Sequence, residues 1–190
     1  MRQTDNKNYT SPLPFEGFAE ALMRTFEVAL PEPERFRTPQ DLDQFLAEQR
    51  LSAPAATHED VELVRTLREA LRTLFDESRN EHDRAEQLNE MLSRATVTLA
   101  IPQGRPFLTI SAPSAATLIE RVSTASAVSL ASAVARYGFS RLRVCAADPC
   151  RDAFIDTSKK GARRFCGNRC ASRWHVATFR QRKKKEDHAK

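Results

Sequence analysis

Four cysteines occur in this chain of 190 residues, and all lie within 26 positions: Cys145, Cys150, Cys166 and Cys170, spaced C-x4-C-x15-C-x3-C. Two close pairs separated by a loop is how a tetrahedral zinc ion draws its ligands. Each pair supplies two thiolates from one turn of backbone, and the loop must fold back to bring the pairs together. A segment below about 40 residues rarely builds a sufficient core, so a metal stands in for one. Within the loop, "AFIDT" and "RRF" predict short strands joined by a turn at "SKKG". Beyond Cys166, "GNRCASRWHVATFRQRKKK" predicts a helix, with Cys170 in or near its first turn, where the helix dipole favours a thiolate. Phe154, Phe165, Trp174 and Val176 supply a small apolar core. Two disulfides, a Cys/His pair using His175, or His175 in place of one cysteine are the other readings of the same residues. Four thiolates fill zinc's four positions, so the expected ion is one structural Zn2+ with no opening for substrate.

Charge divides the chain at the same place. Residues 141–190 hold 15 Lys+Arg against 5 Asp+Glu, whereas residues 1–140 hold 15 against 20. An acidic body thus carries a basic end, the pattern of a nucleic-acid-facing segment, with a merely solvated tail as the plainer reading. Arg151, Arg164 and Arg169 lie close enough to the cysteines to offset the net charge of a tetrathiolate zinc centre. Charge further along the predicted helix is too distant for that role. The candidate nucleic-acid contacts are Arg169, Arg173, Arg180, Arg182, Lys183, Lys184 and Lys185.

The acidic body reads as helical. Residues 1–14 are polar and predict a flexible arm. "FEGFAEALMRTFEVAL" predicts a helix with Phe18, Leu22, Phe26 and Leu30 on one stripe. Thr38, Pro39 and Asp41 mark the start of a second helix. Thr57 and Asp60 have capping-box spacing before a third, whose apolar face is Val61, Val64, Leu67, Leu71, Leu74 and Phe75. "DRAEQLNEMLSRA" predicts a fourth. "TVTLAI" and "PFLTI" predict a β-hairpin turning at Gly104, and a long helix rich in Ala and Ser follows, ended by Gly138. His58, His82 and the scattered carboxylates show no catalytic spacing, so no enzyme activity is expected. No secretory signal and no membrane span are apparent, which predicts a cytoplasmic protein with reduced thiols. The expected fold is mainly α with a β-hairpin. It comprises an arm (1–14), a helical domain (15–139), a treble-clef-like or ribbon zinc module (141–183) and a basic tail (184–190).

The segment "RLRVCAADPCRDAFIDTSKKGARRFCGNRCASRWHVATFRQR" resembles the CGNR zinc finger. The likeness lies in the opening pair Cys145 and Cys150, the "F-x-D" at Phe154 to Asp156, the "RRF-C" ending at Cys166 and the closing basic helix. In that family the tetrapeptide falls on the last cysteine; here "CGNR" falls on the third, and the closing pair is one residue tighter. The element order before it, and "LVRTLREALRTLF" in particular, is similar to the ABATE domain that typically precedes such fingers. The resemblance implies a bacterial, stress-linked transcription regulator that binds DNA, and the acidic balance and helical faces of the body suggest that it senses an effector or pairs with a second copy. The alternative is a zinc-stabilised protein- or RNA-interaction module.

Overall fold

The computed structural model describes residues 15–101 and 109–188, with side chains for 15–101 and 110–184. The expected arm 1–14, the hairpin turn at Gly104 and the side chain of Lys185 lie outside the described residues. The elements run α1 (Phe18–Met23), α2 (Pro39–Glu48), α3 (His58–Arg72), α4 (Glu81–Ser93), β1 (Thr98–Ala100), β2 (Thr109–Ser111), α5 (Leu118–Tyr137), β3 (Leu142–Val144), β4 (Ala153–Ile155) and α6 (Asn168–His188). Short 3-10 turns follow α3 and α5.

The helix starts follow local chemistry. Thr38 accepts from the Asp41 N–H and Asp41 accepts from the Thr38 N–H, with Pro39 leading α2. Thr57 and Asp60 exchange the same two bonds at α3, and Thr117 and Glu120 do so at α5. Each box satisfies two N–H groups that the helix leaves without partners.

α5 is the central helix and packs on α1, α3 and α4. Among the described residues it alone is long and apolar enough to cross a membrane. Here it is a core helix, burying Val122, Ala125, Ala127 and Leu130. Its small residues permit close approach: the Ser129 hydroxyl accepts the Ala19 N–H at 3.3 Å. Gly138 ends it at φ 82°, a conformation that costs glycine little. From α3 and the turn after it, Val61, Val64, Leu71, Leu74 and Phe75 are buried as expected, with Leu67 at the edge of the core.

Two expectations fail. The first helix stops at Met23 instead of running to Leu30. α3 claims the chain beyond it: Arg72 donates to the carbonyls of Met23 and Phe26 at 3.1 and 3.0 Å, and Arg68 stacks 5.2 Å from the Phe26 ring. Phe26 then bridges to Glu34, so "PEPE" is a tight loop instead of a helix end.

The second concerns the C-terminal hairpin. Ala153–Ile155 pairs with Leu142–Val144, not with Arg163–Phe165, in the register Leu142↔Ile155, Arg143↔Phe154, Val144↔Ala153. This hairpin serves two cores. Leu142, Ala153 and Ile155 enter the main core, while Phe154 points the other way, into the cluster of Cys145, Ala147, Cys150 and Cys170. Period-two alternation thus shares one ribbon between the two packed units. Glu20 of α1 accepts the Ile155 N–H at 2.8 Å, and buried Arg84 of α4 donates to the Leu74 and Phe139 carbonyls at 2.7 and 3.1 Å.

Candidate metal centre and basic helix

The first cysteine pair lies in the loop joining β3 to β4. Cys145 opens it, its N–H bonded to the Asp152 carbonyl at 2.9 Å, and Cys150 closes it. The loop after β4 is held by Asp156, whose side chain is fully buried. Its carboxylate accepts the N–H groups of Ser158 and Arg163, both at 2.9 Å. That wraps residues 157–163 into a compact turn and prevents Arg163–Phe165 from running beside β4. The Arg141 guanidinium lies beneath, donating to the carbonyls of Asp156 and Ser158 at 3.1 and 2.7 Å. Burial works to raise the Asp156 pKa, but the hydrogen bonds and the Arg141 charge outweigh it and hold the carboxyl below its usual range. Gly161 sits over that guanidinium at φ 63°, where a Cβ would lie 2.5 Å from Arg141 Cζ.

The turn returns the chain to the first pair. Ala146 N–H bonds to the Arg164 carbonyl at 2.9 Å, and Cys166 N–H reaches Cys145 Sγ at 3.4 Å. Cys170 follows as the third residue of α6. The four sulfurs all lie within 4.8 Å of one another. Cys150 Sγ is 3.7 Å and Cys170 Sγ 3.6 Å from Cys166 Sγ. Four thiolates around zinc at about 2.3 Å stand about 3.8 Å apart, so the donors are placed as that ion requires. All four cysteines are free thiols, which removes the disulfide reading, and His175 is not among the clustered groups.

Burial sets the acidities. It pushes the Cys150 thiol up to about 12, with the Asp152 carboxylate adding to the effect, and pushes Cys166 up as well, beside Cys170 and Cys150. For Cys145 burial also acts upward, but the N–H groups of Cys166 and Ala147 outweigh it and leave the thiol below its usual value. Only thiolates bind zinc, so filling the site expels protons and binding strengthens with pH.

The arginines divide differently from the expectation. Among the described residues it is Arg173 that meets a sulfur, donating to Cys170 Sγ at 3.2 Å. A zinc ion with four thiolates carries two net negative charges, and this contact offsets part of them. Arg164 instead stacks on Trp174 at 4.9 Å and on Phe165 at 5.6 Å, closing the module's small core. Arg151 offers its carbonyl to Arg72 at 3.5 Å. Arg169 Nη2 stands 3.8 Å from Glu27 of the helical body. Asp152 and Glu27 had no motif to announce them. The Cys170–Arg173 contact did have a signal, since residues three apart share a helix face.

Among the described residues, α6 is held by its first two turns only. Cys170 and Trp174 pack into the module, but Val176, expected in the same small core, is exposed because it lies beyond the turns of α6 that pack, and from His175 to Lys184 only Thr178 is partly covered. Arg169, Arg173, Val176, Arg180 and Lys183 follow at i, i+4, i+7, i+11 and i+14, which places them on one stripe. Lys184, four residues after Arg180, is exposed beside this line, and Arg182 is exposed on another face. Six of the seven nominated cations are thus described, one touching a thiol and one beside a carboxylate.

Residues 17–142 match the ABATE family, described as "Putative stress-induced transcription regulator". Residues 141–183 match the CGNR zinc finger. No curated protein matches the chain. The fold therefore combines a helical body with a zinc module that takes one structural zinc ion at Cys145, Cys150, Cys166 and Cys170. With its family match spanning well over half its length, the chain belongs to the ABATE family and carries a CGNR zinc finger at its C-terminal end.

Proposed function

We propose that this protein is a DNA-binding transcription regulator, acting in the cytoplasm and not as an enzyme. Zinc would order the module, and the module would present α6 to the phosphate backbone. The observation that carries this reading is the group of exposed cations Arg180, Arg182, Lys183 and Lys184 on the part of α6 beyond Trp174, with Arg169 and Arg173 lower on the same helix beside Glu27 and Cys170. Cations gathered at one exposed helix end meet the dense charge of a duplex backbone, and releasing condensed counterions supplies the affinity. The zinc is read as structural, since its four ligands leave no coordination position for chemistry. The family description supports a regulatory role, and the shared β3–β4 hairpin is a physical connection through which the body would influence the finger.

The test is an anisotropy titration of labelled duplex DNA with zinc-loaded and chelator-stripped protein, repeated with single-stranded RNA of the same sequence. The reading expects salt-dependent duplex binding that disappears with the zinc. Equal binding to RNA, or duplex binding indifferent to zinc, would point to an interaction module instead.

A further inference from the structure

We propose that α6 contacts thymine in the major groove through Val176 and Phe179. The inference rests on the DNA-binding reading above. Val176 is 49% exposed and Phe179 68% exposed, both on the part of α6 beyond its anchoring turns. Val176 lies on the cationic stripe between Arg173 and Arg180, and Phe179 lies one turn from both Val176 and Lys183.

Phosphate contacts alone give these two side chains nothing to do. A stripe of arginine and lysine binds a polyanion equally well with alanine or serine in the gaps. Leaving a valine and a phenylalanine in water forgoes burial, and no described residue covers them. Charge settles what does: residues 141–190 carry a net +10, so the complementary surface is a polyanion. With exposed Arg180 and Lys183 beside them engaged by phosphates, the apolar pair faces the groove. The major groove admits an α-helix, and its one apolar group is the thymine 5-methyl. The phosphate contacts thus position the helix, and Val176 and Phe179 bias it toward thymine.

The full-length, zinc-loaded protein is titrated against an alternating dA–dT duplex and the same duplex with uracil in place of thymine, which deletes only the methyl groups. The wild type should bind the thymine duplex tighter, by about fourfold for each methyl buried. The Val176→Ala/Phe179→Ala variant, with zinc content and helicity unchanged, should lose that preference and keep its salt dependence. Equal binding of the wild type to both duplexes overturns the proposal, as does a preference that survives in the variant. If Phe179→Ala weakens both duplexes equally, the ring inserts between base pairs and the methyl contact is refuted. Absence of salt-dependent binding to either duplex removes the phosphate reading itself, a failure visible without reference to methyl groups.

Discussion

Replacing Arg68 with methionine should destabilise the helical body by about 3 kcal/mol. Arg68 is 2% exposed, yet it lies on the inner face of α3. Its guanidinium donates to Thr25 Oγ1 at 2.8 Å, to Glu34 Oε1 at 3.0 Å and to the second Glu34 oxygen, between the rings of Phe26 and Phe36. Methionine is of similar length, so the missing charge and not a cavity dominates. Removing one member of a buried, hydrogen-bonded ion pair costs about 3–5 kcal/mol. Glu34 is 22% exposed, keeps Arg65 at 3.6 Å and still accepts the Phe36 N–H at 2.9 Å, so the low end applies. Urea unfolding measures it, as a shift in midpoint at unchanged m-value. A loss under about 1 kcal/mol would refute the reasoning, being no more than an average substitution costs. Acid titration gives a second readout. Burial acts to raise the Glu34 pKa, but the Arg68 hydrogen bond, the Phe36 N–H and the two arginine charges outweigh it and lower the value. The folded pKa therefore lies below the unfolded one. The stabilisation is complete above the unfolded pKa and disappears as pH falls through the folded pKa. Over that window Arg68→Met should lose less stability on acidification than the wild type.

Leu71 is fully buried, so Leu71→Ala should cost about 2–5 kcal/mol in the same assay, and a cost under about 0.5 kcal/mol would contradict its place in the core. Gly161→Ala should cost about 1–2 kcal/mol, since alanine disfavours the positive φ and its Cβ meets the Arg141 guanidinium; an unchanged midpoint would mean the turn is not held as described. Metal analysis should find one zinc per chain. Chelation should melt α6 and the cysteine loop while α1–α5 keep their circular dichroism signal, and limited proteolysis should cut first after β4; loss of all helicity would show that the two packed units are not separable.

What can be read without coordinates here is what local chemistry decides. The capping boxes at Thr38 and Thr57 need three residues of context, and the four zinc ligands need only their spacing. The apolar face of α3 follows from its period. What escapes depends on distant residues. "AFI" has strand character, but its choice of Leu142–Val144 over Arg163–Phe165 turns on the buried Asp156, which curls the intervening loop. Phe26 and Leu30 continue the helical period of α1, and only the arginines of α3 explain why the helix stops. Arg68 looks like a surface charge until Glu34 arrives from 34 residues away. At the site, the ligand set is legible, whereas which arginine serves the sulfur is a matter of helix phase and favours Arg173 over its neighbours.

The salt dependence of DNA affinity tests the central claim most directly. Log affinity should fall linearly with log salt for the zinc-loaded wild type. Gln at Arg180, Lys183 and Lys184 together, all exposed and clear of the cysteines, should flatten that slope by up to about 2.7, or about 0.9 for each phosphate no longer neutralised. An unchanged slope and affinity in the triple variant would contradict the account and leave the basic end of α6 as a solvated tail.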